Sequence, residues 1–314
     1  MNTQIPYSTK SNDRSLFMIV ALAIIAIIIV AIVSFIYPST FIGFERINIE
    51  SIGVIKIQGA LADTQGFTIL GSTTGVQQYI NLIENAIKDP SIKAVLLYVN
   101  SPGGTVSASE KLFYEIEKLS YKKTVVAYVE GYGASGAYMI ILPAKKIIAS
   151  ESSLVGSVGV YSVIINYKGL LDKLGIQVYT FKSGKLKDIG SPYRNMTDQD
   201  KKIYGEIIQE FFSIFKERVL KYRTIIDQEV FTGRPYTSKQ AKRVGLIDEI
   251  GTYDDAINIT KKLAGLPEDA PIRVLEPPKP SLLDLLFRLY IKPKIRIVPS
   301  HEILAMWPPP VVEP

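Results

Sequence analysis

YVEGYGASGAY, residues 128–138, places one serine, Ser135, among glycines and other small residues at the end of a run typical of a β-strand. Thr124–Val129 is the predicted strand, and the small residues after Ser135 are compatible with a helix. Ser135 is therefore predicted to lie at the N-terminal end of a helix and at the carboxyl edge of a parallel sheet. In open α/β folds that edge is where ligands bind, so the hydroxyl of Ser135 is a candidate nucleophile.

The residues on both sides of this stretch predict the fold class. Between residues 53 and 265, short runs rich in β-branched residues alternate with helical patterns. Val54–Ile57 and Ala94–Val99 are predicted strands, and Val76–Lys88 is a predicted helix between them. This alternation is typical of βαβ units, so we expect an α/β fold with a mainly parallel sheet.

Three flanking segments carry more local predictions. Ser107 is predicted to cap a helix, because Glu110 follows it at the capping-box spacing. Thr197 is predicted to cap a long helix further along the chain. Val178–Phe181 is predicted to form a strand that leads directly into a loop containing several lysines.

The N-terminal part of the chain has a different pattern. Residues 16–37 carry no charge, and at about 1.5 Å per residue a helix of that length spans the roughly 30 Å hydrocarbon core of a bilayer. A cleaved signal peptide is the alternative, but its apolar region usually runs only about 7 to 15 residues. The expected organisation is a cytoplasmic tail (1–15), a transmembrane helix (16–37), a connector (38–52), a folded domain (53–265) and a C-terminal tail (266–314).

The charges around the apolar run predict its orientation. Lys10 and Arg14 lie on its N-terminal side, and Arg46 lies beyond Glu45 on the other side. The positive-inside bias then keeps the N-terminus in the cytoplasm. We expect a single-pass protein of the cell membrane with its folded domain outside the cytoplasm.

Composition excludes several kinds of site and partner. The chain has no cysteine and one histidine, His301, which excludes a disulfide framework and a thiolate zinc site and argues against a histidine-based metal site. We expect no metal and no cofactor. The net charge is +6, but the basic residues are dispersed among acidic ones, so no nucleic-acid partner is predicted.

A serine hydroxyl needs a base to remove its proton. His301 lies outside the predicted core, which leaves lysine as the candidate for activating Ser135. Lowering the pKa of a lysine from about 10.4 to about 7 requires about 4.6 kcal/mol, which burial can supply. Lys182, Lys185 and Lys187 all follow the same predicted strand, and their spacing does not choose among them.

Glycines beside the serine can supply an oxyanion hole. Gly136 can present its N–H without a side chain at the positive end of a helix. Gly103 and Gly104 follow the preceding strand in the order of the sheet and can supply a second N–H. For either glycine run alone, an ordinary turn is the alternative interpretation.

Several short motifs occur along the predicted domain: NSPGG (100–104), GASGAY (133–138), GSVGV (156–160), SGKLKDIGSP (183–192), FTGR (231–234), Ala241 and GLID (245–248). In their order and spacing, these motifs resemble the signal peptide peptidase A family, peptidase family S49, in its short single-domain form. The resemblance covers about residues 53–265.

The resemblance implies a Clp protease and crotonase type of fold, built from repeated ββα units, and a Ser-Lys dyad. It also implies assembly into a homo-oligomeric ring, with the two dyad residues meeting across a subunit boundary. The implied site residues are Ser135 as the nucleophile, Lys187 as the general base, Ser157 as the residue that orients the lysine amine, and Gly136 with Gly103 or Gly104 as the oxyanion hole.

The activity implied by the resemblance is endopeptidase cleavage of hydrophobic remnant signal peptides in or near the membrane, through an acyl-enzyme. One alternative is another membrane Ser-Lys protease of the same fold, such as the stomatin-clipping proteases encoded beside NfeD-type partners. A second alternative is a crotonase-like acyl-CoA enzyme, for which Glu130 is the nearest acid to the serine. A third is an inactive membrane scaffold.

Overall fold

The computed structural model describes residues 12–36, 49–64, 66–68, 71–276 and 304–306. The chain divides into a small N-terminal unit, Met1–Asn48, and a larger unit, Ile49–Pro314. His301 lies outside the described residues.

The described residues of the N-terminal unit form the helix α1 (Asn12–Ile36). Side chains of α1 are described for residues 17–30 and 32, and the large apolar ones among them are exposed. Within the part of the chain that the structure describes, no helix meets both the length and the hydropathy needed to cross a membrane. The predicted transmembrane helix over residues 16–37 is therefore not supported by the structure.

The larger unit alternates strands with helices along most of its length. Its first half contains β1 (Ser51–Gln58), β2 (Leu61–Ala62), β3 (Gly66–Thr68), β4 (Gly71–Gly75), α2 (Val76–Lys88), β5 (Ile92–Ser101), β6 (Gly103–Thr105), α3 (Val106–Ser120), β7 (Thr124–Ala134) and α4 (Gly136–Ile141). Its second half contains β8 (Lys146–Ala149), β9 (Leu154–Gly156), α5 (Lys168–Lys173), α6 (Asp198–Tyr222), β10 (Pro235–Thr237), α7 (Ser238–Arg243), β11 (Glu249–Ile250), α8 (Tyr253–Ala264), β12 (Ile272–Leu275) and β13 (Leu304–Met306).

The main sheet has the strand order β10-β9-β7-β5-β1-β12, with β8 pairing with both β7 and β11. Its described pairs are parallel except β10 with β9. The central strands β5 and β7 are buried over most of their length, as expected for a parallel sheet covered on both faces. The predicted α/β class with a mainly parallel sheet is confirmed.

The alternation of side chains along β1 shows how the two faces are covered. Ile55 and Ile57 belong to the large apolar cluster that also contains residues of α2 and α3. Ile52 and Val54 belong to a second cluster that contains residues of α8. Neighbouring residues of a strand point to opposite faces of the sheet, so one short run of β-branched residues contributes to both layers of the core.

A second sheet, ordered β13-β6-β2-β4-β3, lies beside the end of β5. Its strand β6 pairs parallel with β2 and antiparallel with β13. In the second pairing Ala305 lies opposite Gly104, and Met306 lies opposite Gly103. A segment near the C-terminus therefore occupies one edge of the glycine-containing strand.

Local predictions had mixed outcomes. The cap predicted at Thr197 is confirmed, since its side chain accepts a hydrogen bond from the N–H of Asp200 at 3.1 Å. The cap predicted at Ser107 is wrong, because the backbone is still extended at Thr105 and the side chain of Thr105 caps α3. The strand predicted over Val178–Phe181 is also wrong, because this exposed segment has no neighbouring strand to pair with among the described residues.

Candidate active site

Ser135 lies at a sharp turn between β7 and α4. Its φ is 54° and its ψ is −122°, a combination that residues with a Cβ rarely adopt. The turn is held from both sides, because the N–H of Ser135 donates to the carbonyl of Gly156 at 2.7 Å and its carbonyl accepts from the N–H of Met139 at 3.0 Å. The side chain is almost fully buried, with 1% exposed. The surrounding hydrogen bonds therefore fix the hydroxyl in a strained backbone geometry.

The glycines predicted to form an oxyanion hole lie near this turn. Gly136 is the first residue of α4, and the first N–H groups of a helix have no partner within the helix. Gly104 lies so close to β2 that a Cβ there would be 1.9 Å from the carbonyl oxygen of Leu61. Ser101 pairs with Gly133 in the main sheet, which brings the start of β6 next to the end of β7.

The two glycines at the start of β6 have different surroundings. The N–H of Gly103 donates to the side-chain oxygen of Ser101 at 3.2 Å. Gly103 also has a φ of 101°, which is a conformation that favours glycine. Gly103 thus forms the turn into β6, whereas Gly104 pairs with Leu61 of β2 within the second sheet.

Ser157 follows β9, the strand next to Ser135. It also has a positive φ, 50°, and its side-chain hydroxyl donates to the carbonyl of Gly233 at 3.0 Å. Two residues later, the carbonyl of Gly159 accepts a long hydrogen bond of 3.4 Å from the hydroxyl of Ser135. The structure therefore brings Ser135 and Ser157 to the same turn region, and each hydroxyl bonds to a backbone carbonyl.

The three candidate lysines lie on the segment before α6. Lys182 donates to Asp188 at 2.7 Å and to the carbonyl of Lys185 at 3.1 Å, so its amine is engaged locally. Lys185 and Lys187 are exposed. Lys187 belongs to a turn in which its own N–H donates to the carbonyl of Gly184 at 3.1 Å. Within the described chain, the structure does not pair Lys187 with either serine.

A cavity of about 440 Å³ opens beside Ser135 and Ser157. Its remaining wall is mostly apolar and comes from the segment after β9, from α6 and from the short turn of 3-10 helix Gln228–Thr232. The apolar lining residues are Val158, Val160, Ile208, Phe212 and Phe231. None of these five residues was predicted from the sequence to be a site residue. Ile208 and Phe212 are four apart on α6, and this spacing is the signal that could have identified a shared face.

The acid considered for acyl-CoA chemistry has other neighbours. Glu130 is exposed and interacts with Tyr98, whose pKa is raised first by burial and then by the hydrogen bond to Glu130. Tyr98 packs against Tyr128 and Tyr253, next to α8. Glu130 is therefore committed to an aromatic group away from the cavity. Among the described residues, no group of acidic and histidine side chains could hold a metal ion.

Two family models match the chain. The first, described as Peptidase family S49, matches residues 117–267, and the second, described as Clp protease, matches residues 73–153. The first match contains Ser135, Ser157 and the lysine segment. The second contains Gly103, Gly104 and the nucleophile turn.

Curated relatives carry protease names. A “Putative protease” of Methanocaldococcus jannaschii is 48% identical over 60% of this chain and 61% of the relative. A “Putative signal peptide peptidase SppA” of Enterococcus faecium is 34% identical over 69% of this chain and 65% of the relative. A “Putative protease” of Synechocystis is 30% identical over 76% of this chain and 83% of the relative. The chain thus spans less than two thirds of the length of the first two relatives.

Proposed function

The chain belongs to peptidase family S49, and from that premise we propose that it is a serine endopeptidase with Ser135 as its nucleophile. The observation that carries the proposal is the backbone of Ser135, which is held at a φ of 54° beside an apolar cavity. Strained backbone conformations of this kind persist only where the surrounding structure imposes them, and they cluster at active sites.

In the proposed reaction, the oxygen of Ser135 attacks the carbonyl carbon of a peptide bond and its proton passes to a base. The negative charge that develops on the carbonyl oxygen is stabilised by the N–H groups of Gly136 and Gly104. One such donor contributes about 2.7 to 4 kcal/mol to catalysis. The tetrahedral intermediate expels the amine, which takes up the proton, and water then hydrolyses the acyl-enzyme.

The proposed base is Lys187, with Ser157 orienting its amine. A lysine removes a proton only in its neutral form, and burial is what favours that form. Because Lys187 is exposed in the single chain, a second copy would have to cover it. We therefore include a homo-oligomeric ring in the proposal, in which Lys187 of one copy approaches Ser135 of its neighbour.

The segment that carries the lysine supports such an assembly. Between β9 and α6 many large apolar side chains are exposed, which is unusual for a surface that faces only water. These side chains are Val163, Ile165, Tyr167, Leu170, Leu174, Ile176, Val178, Tyr179, Phe181 and Tyr193. Contact with a second copy would bury them together with the lysine.

Two inactive variants test the dyad and the assembly together. Ser135→Ala and Lys187→Ala are each expected to abolish hydrolysis of an apolar fluorogenic peptide, while Lys185→Ala serves as the matched lysine control. Mixing the two inactive variants before assembly should restore activity at about a quarter of the sites, because a ring interface joins different copies. Activity retained by Lys187→Ala would contradict its role as base, and the absence of any recovery on mixing would contradict sharing between copies.

A reactive probe tests the nucleophile separately. A serine-reactive acylating reagent is expected to label Ser135 in the assembled protein, with the modified residue mapped by mass spectrometry. The Ser135→Ala variant is the control for labelling elsewhere. Modification of a different serine in the assembled wild-type protein would overturn the assignment.

The proposed substrates are hydrophobic signal-peptide remnants. The cavity beside Ser135 has an apolar wall, and the edge of β6 already pairs antiparallel with an extended segment of the chain. A substrate that adds a strand at this edge gains main-chain hydrogen bonds, while the cavity receives a side chain. Cleavage of synthetic signal peptides should exceed that of polar peptides of equal length. Preference instead for the C-terminal segment of a stomatin-type protein would favour the alternative protease.

Membrane anchoring is also part of the proposal, and it rests on the sequence. Residues 16–37 carry no charge, with Lys10 and Arg14 on the N-terminal side, which would place the catalytic domain outside the cytoplasm. The test is alkaline extraction of membranes followed by protease treatment of intact cells. Release of the protein by alkali, or protection of the catalytic domain in intact cells, would contradict anchoring or orientation respectively.

A further inference from the structure

The loop that carries Lys187 is tied to the start of α6 by four charged side chains. Asp188 accepts hydrogen bonds from Arg194 Nε at 3.0 Å and from Arg194 Nη2 at 3.1 Å. It also accepts from Lys182 at 2.7 Å. The other terminal nitrogen of Arg194 donates to Asp200. We call Lys182, Asp188, Arg194 and Asp200 the loop-anchoring cluster.

The geometry of the cluster differs from that of an ordinary surface ion pair. Arg194 holds Asp188 through two parallel hydrogen bonds, which adds geometric specificity to charge. The side chains of Asp188 and Asp200 are only 10% and 1% exposed. Removing Arg194 would leave the buried carboxylate of Asp200 without the cation that it pairs with, and such a loss is far more costly than the loss of an exposed pair.

The cluster is well placed to fix the loop, because the adjacent segment obtains little order from burial. Residues 172–185 are exposed. Asp188 is next to Lys187 in sequence, and its carbonyl accepts from the N–H of Ser191 at 3.0 Å, closing the turn. Asp200 in turn belongs to the capping box of α6. A continuous path of hydrogen bonds therefore joins the lysine loop to the helix that lines the cavity beside Ser135.

From this geometry we infer that Arg194 is a positioning residue for Lys187. The inference rests on the proposed function, in which Lys187 acts as the base. Arg194 holds the turn so that the lysine amine projects from one fixed backbone position. Together with Lys182 it also balances the charge of Asp188, since a less compensated carboxylate beside Lys187 would favour the protonated lysine, which cannot accept a proton.

Other charged groups near the loop could also contribute to the pH dependence of activity. They are Lys185 in the loop, the ion pair Lys168–Asp172 of α5 and the ion pair Lys201–Asp198 in the first turn of α6. None of these except Lys185 lies within the turn itself. Replacing Arg194 therefore changes the charge balance of the turn without changing these pairs.

The test compares Arg194→Gln with Arg194→Lys in the full-length, assembled protein. Arg194→Gln is expected to lower kcat for an apolar fluorogenic peptide by about 10- to 100-fold, the range expected for a misplaced catalytic group. KM should change less than about threefold, because Arg194 is not among the residues that line the cavity. Arg194→Lys should restore part of kcat, and the lower limb of the pH profile should move to higher pH in Arg194→Gln.

Arg273→Gln is the matched control, because Arg273 also pairs with an aspartate, Asp89, at 3.0 Å. That pair lies near the amino ends of the strands, away from Ser135. A kcat for Arg194→Gln within twofold of wild type, or an equal loss in Arg273→Gln, would overturn the inference. If Arg194→Gln does not assemble, Lys182→Met is the substitute variant, because it removes another partner of Asp188. It should lower kcat by about two- to tenfold. An unchanged kcat in Lys182→Met would also overturn the inference.

Lys187→Ala separates this inference from the proposed function. If Lys187→Ala retains activity, the dyad itself is wrong and the inference fails with it. If Lys187→Ala is inactive while Arg194→Gln behaves like wild type, the dyad stands and only the positioning role is lost.

Discussion

Glycine in place of Ser135 should reveal the strain stored at the proposed nucleophile. Ser135→Ala and Ser135→Gly both remove the hydroxyl, so both should be inactive, and they differ only by the Cβ atom. The backbone at this position has a φ of 54° and a ψ of −122°, which glycine adopts without strain. Comparing the stability of the two variants therefore isolates the cost of holding a side chain there.

The expected difference follows from three contributions. A residue with a Cβ in a sparsely populated backbone region costs about 1 to 3 kcal/mol. Glycine relieves that cost. However, it lowers the free energy of unfolding by about 0.4 to 1 kcal/mol through the greater freedom of the unfolded chain, and by about 0.8 kcal/mol through the missing buried methyl group. The free energy of unfolding of the glycine variant should thus lie between about 0.8 kcal/mol below and about 1.8 kcal/mol above that of the alanine variant.

Ala137 provides the matched control, because it is fully buried in α4 two residues away. In the Ser135→Ala background, Ala137→Gly should lower the free energy of unfolding by about 1 kcal/mol through the lower helix propensity of glycine and by about 0.8 kcal/mol through lost apolar burial. Denaturant unfolding of the full-length variants gives the free energies of unfolding. An equal loss of stability on Ala→Gly replacement at both positions would refute the strain argument.

Three further perturbations follow from the same geometry. Gly104→Ala should lower kcat/KM by about 100-fold or more, because its Cβ would meet the carbonyl of Leu61 at 1.9 Å and displace the proposed oxyanion donor. Gly205→Ala, with open space around its Cβ, should leave kcat/KM unchanged. Deleting residues 277–314 removes β13 from the edge of β6, where a substrate strand is proposed to bind. The deletion should therefore raise kcat/KM for a short peptide severalfold, and unaltered activity would show that the tail does not compete with substrate. Acidification should loosen the loop-anchoring cluster, because the pKa of each of its carboxyl groups is held at about 2, first by its hydrogen bond to Arg194. Because the pKa of each carboxyl group is lower in the folded than in the unfolded protein, the cluster stabilises the fold fully above about pH 4 and loses this contribution as the pH falls through about 2. Limited proteolysis of the loop at pH values between about 4 and 2 should detect the loosening.

The parts of the molecule that follow local rules could be predicted from the sequence. β-Branched runs alternating with helical patterns predicted the parallel sheet, since each run matches a strand buried on both faces. Ser135 could be placed at the end of β7 because a glycine-rich turn between a strand and a helix has few possible geometries. Thr197 could be identified as a cap because its partner Asp200 is three residues away.

The parts that depend on tertiary contacts could not be predicted in this way. Ser107 has the capping-box spacing, yet β6 extends the chain up to Thr105, and the pairing of β6 with β2 decides where α3 begins. The cavity wall of α6 depends on which face of that helix turns toward β9. Ile208 and Phe212 lie on that face, and helical periodicity alone defines faces without saying what each one contacts.

The surroundings of the two proposed dyad residues explain why one was easier to identify than the other. Ser135 is placed by the backbone of its own neighbours, so its proposed role could be inferred from a short motif. Lys187 is exposed on a segment rich in exposed apolar side chains, and the burial that a neutral lysine requires would come from a second copy. The spacing of residues within one chain does not indicate which lysine a second copy would bury. Spacing alone therefore could not identify the base among Lys182, Lys185 and Lys187. Lys187 is next to Asp188, whose hydrogen bonds to Arg194 hold the turn from which the proposed base would project.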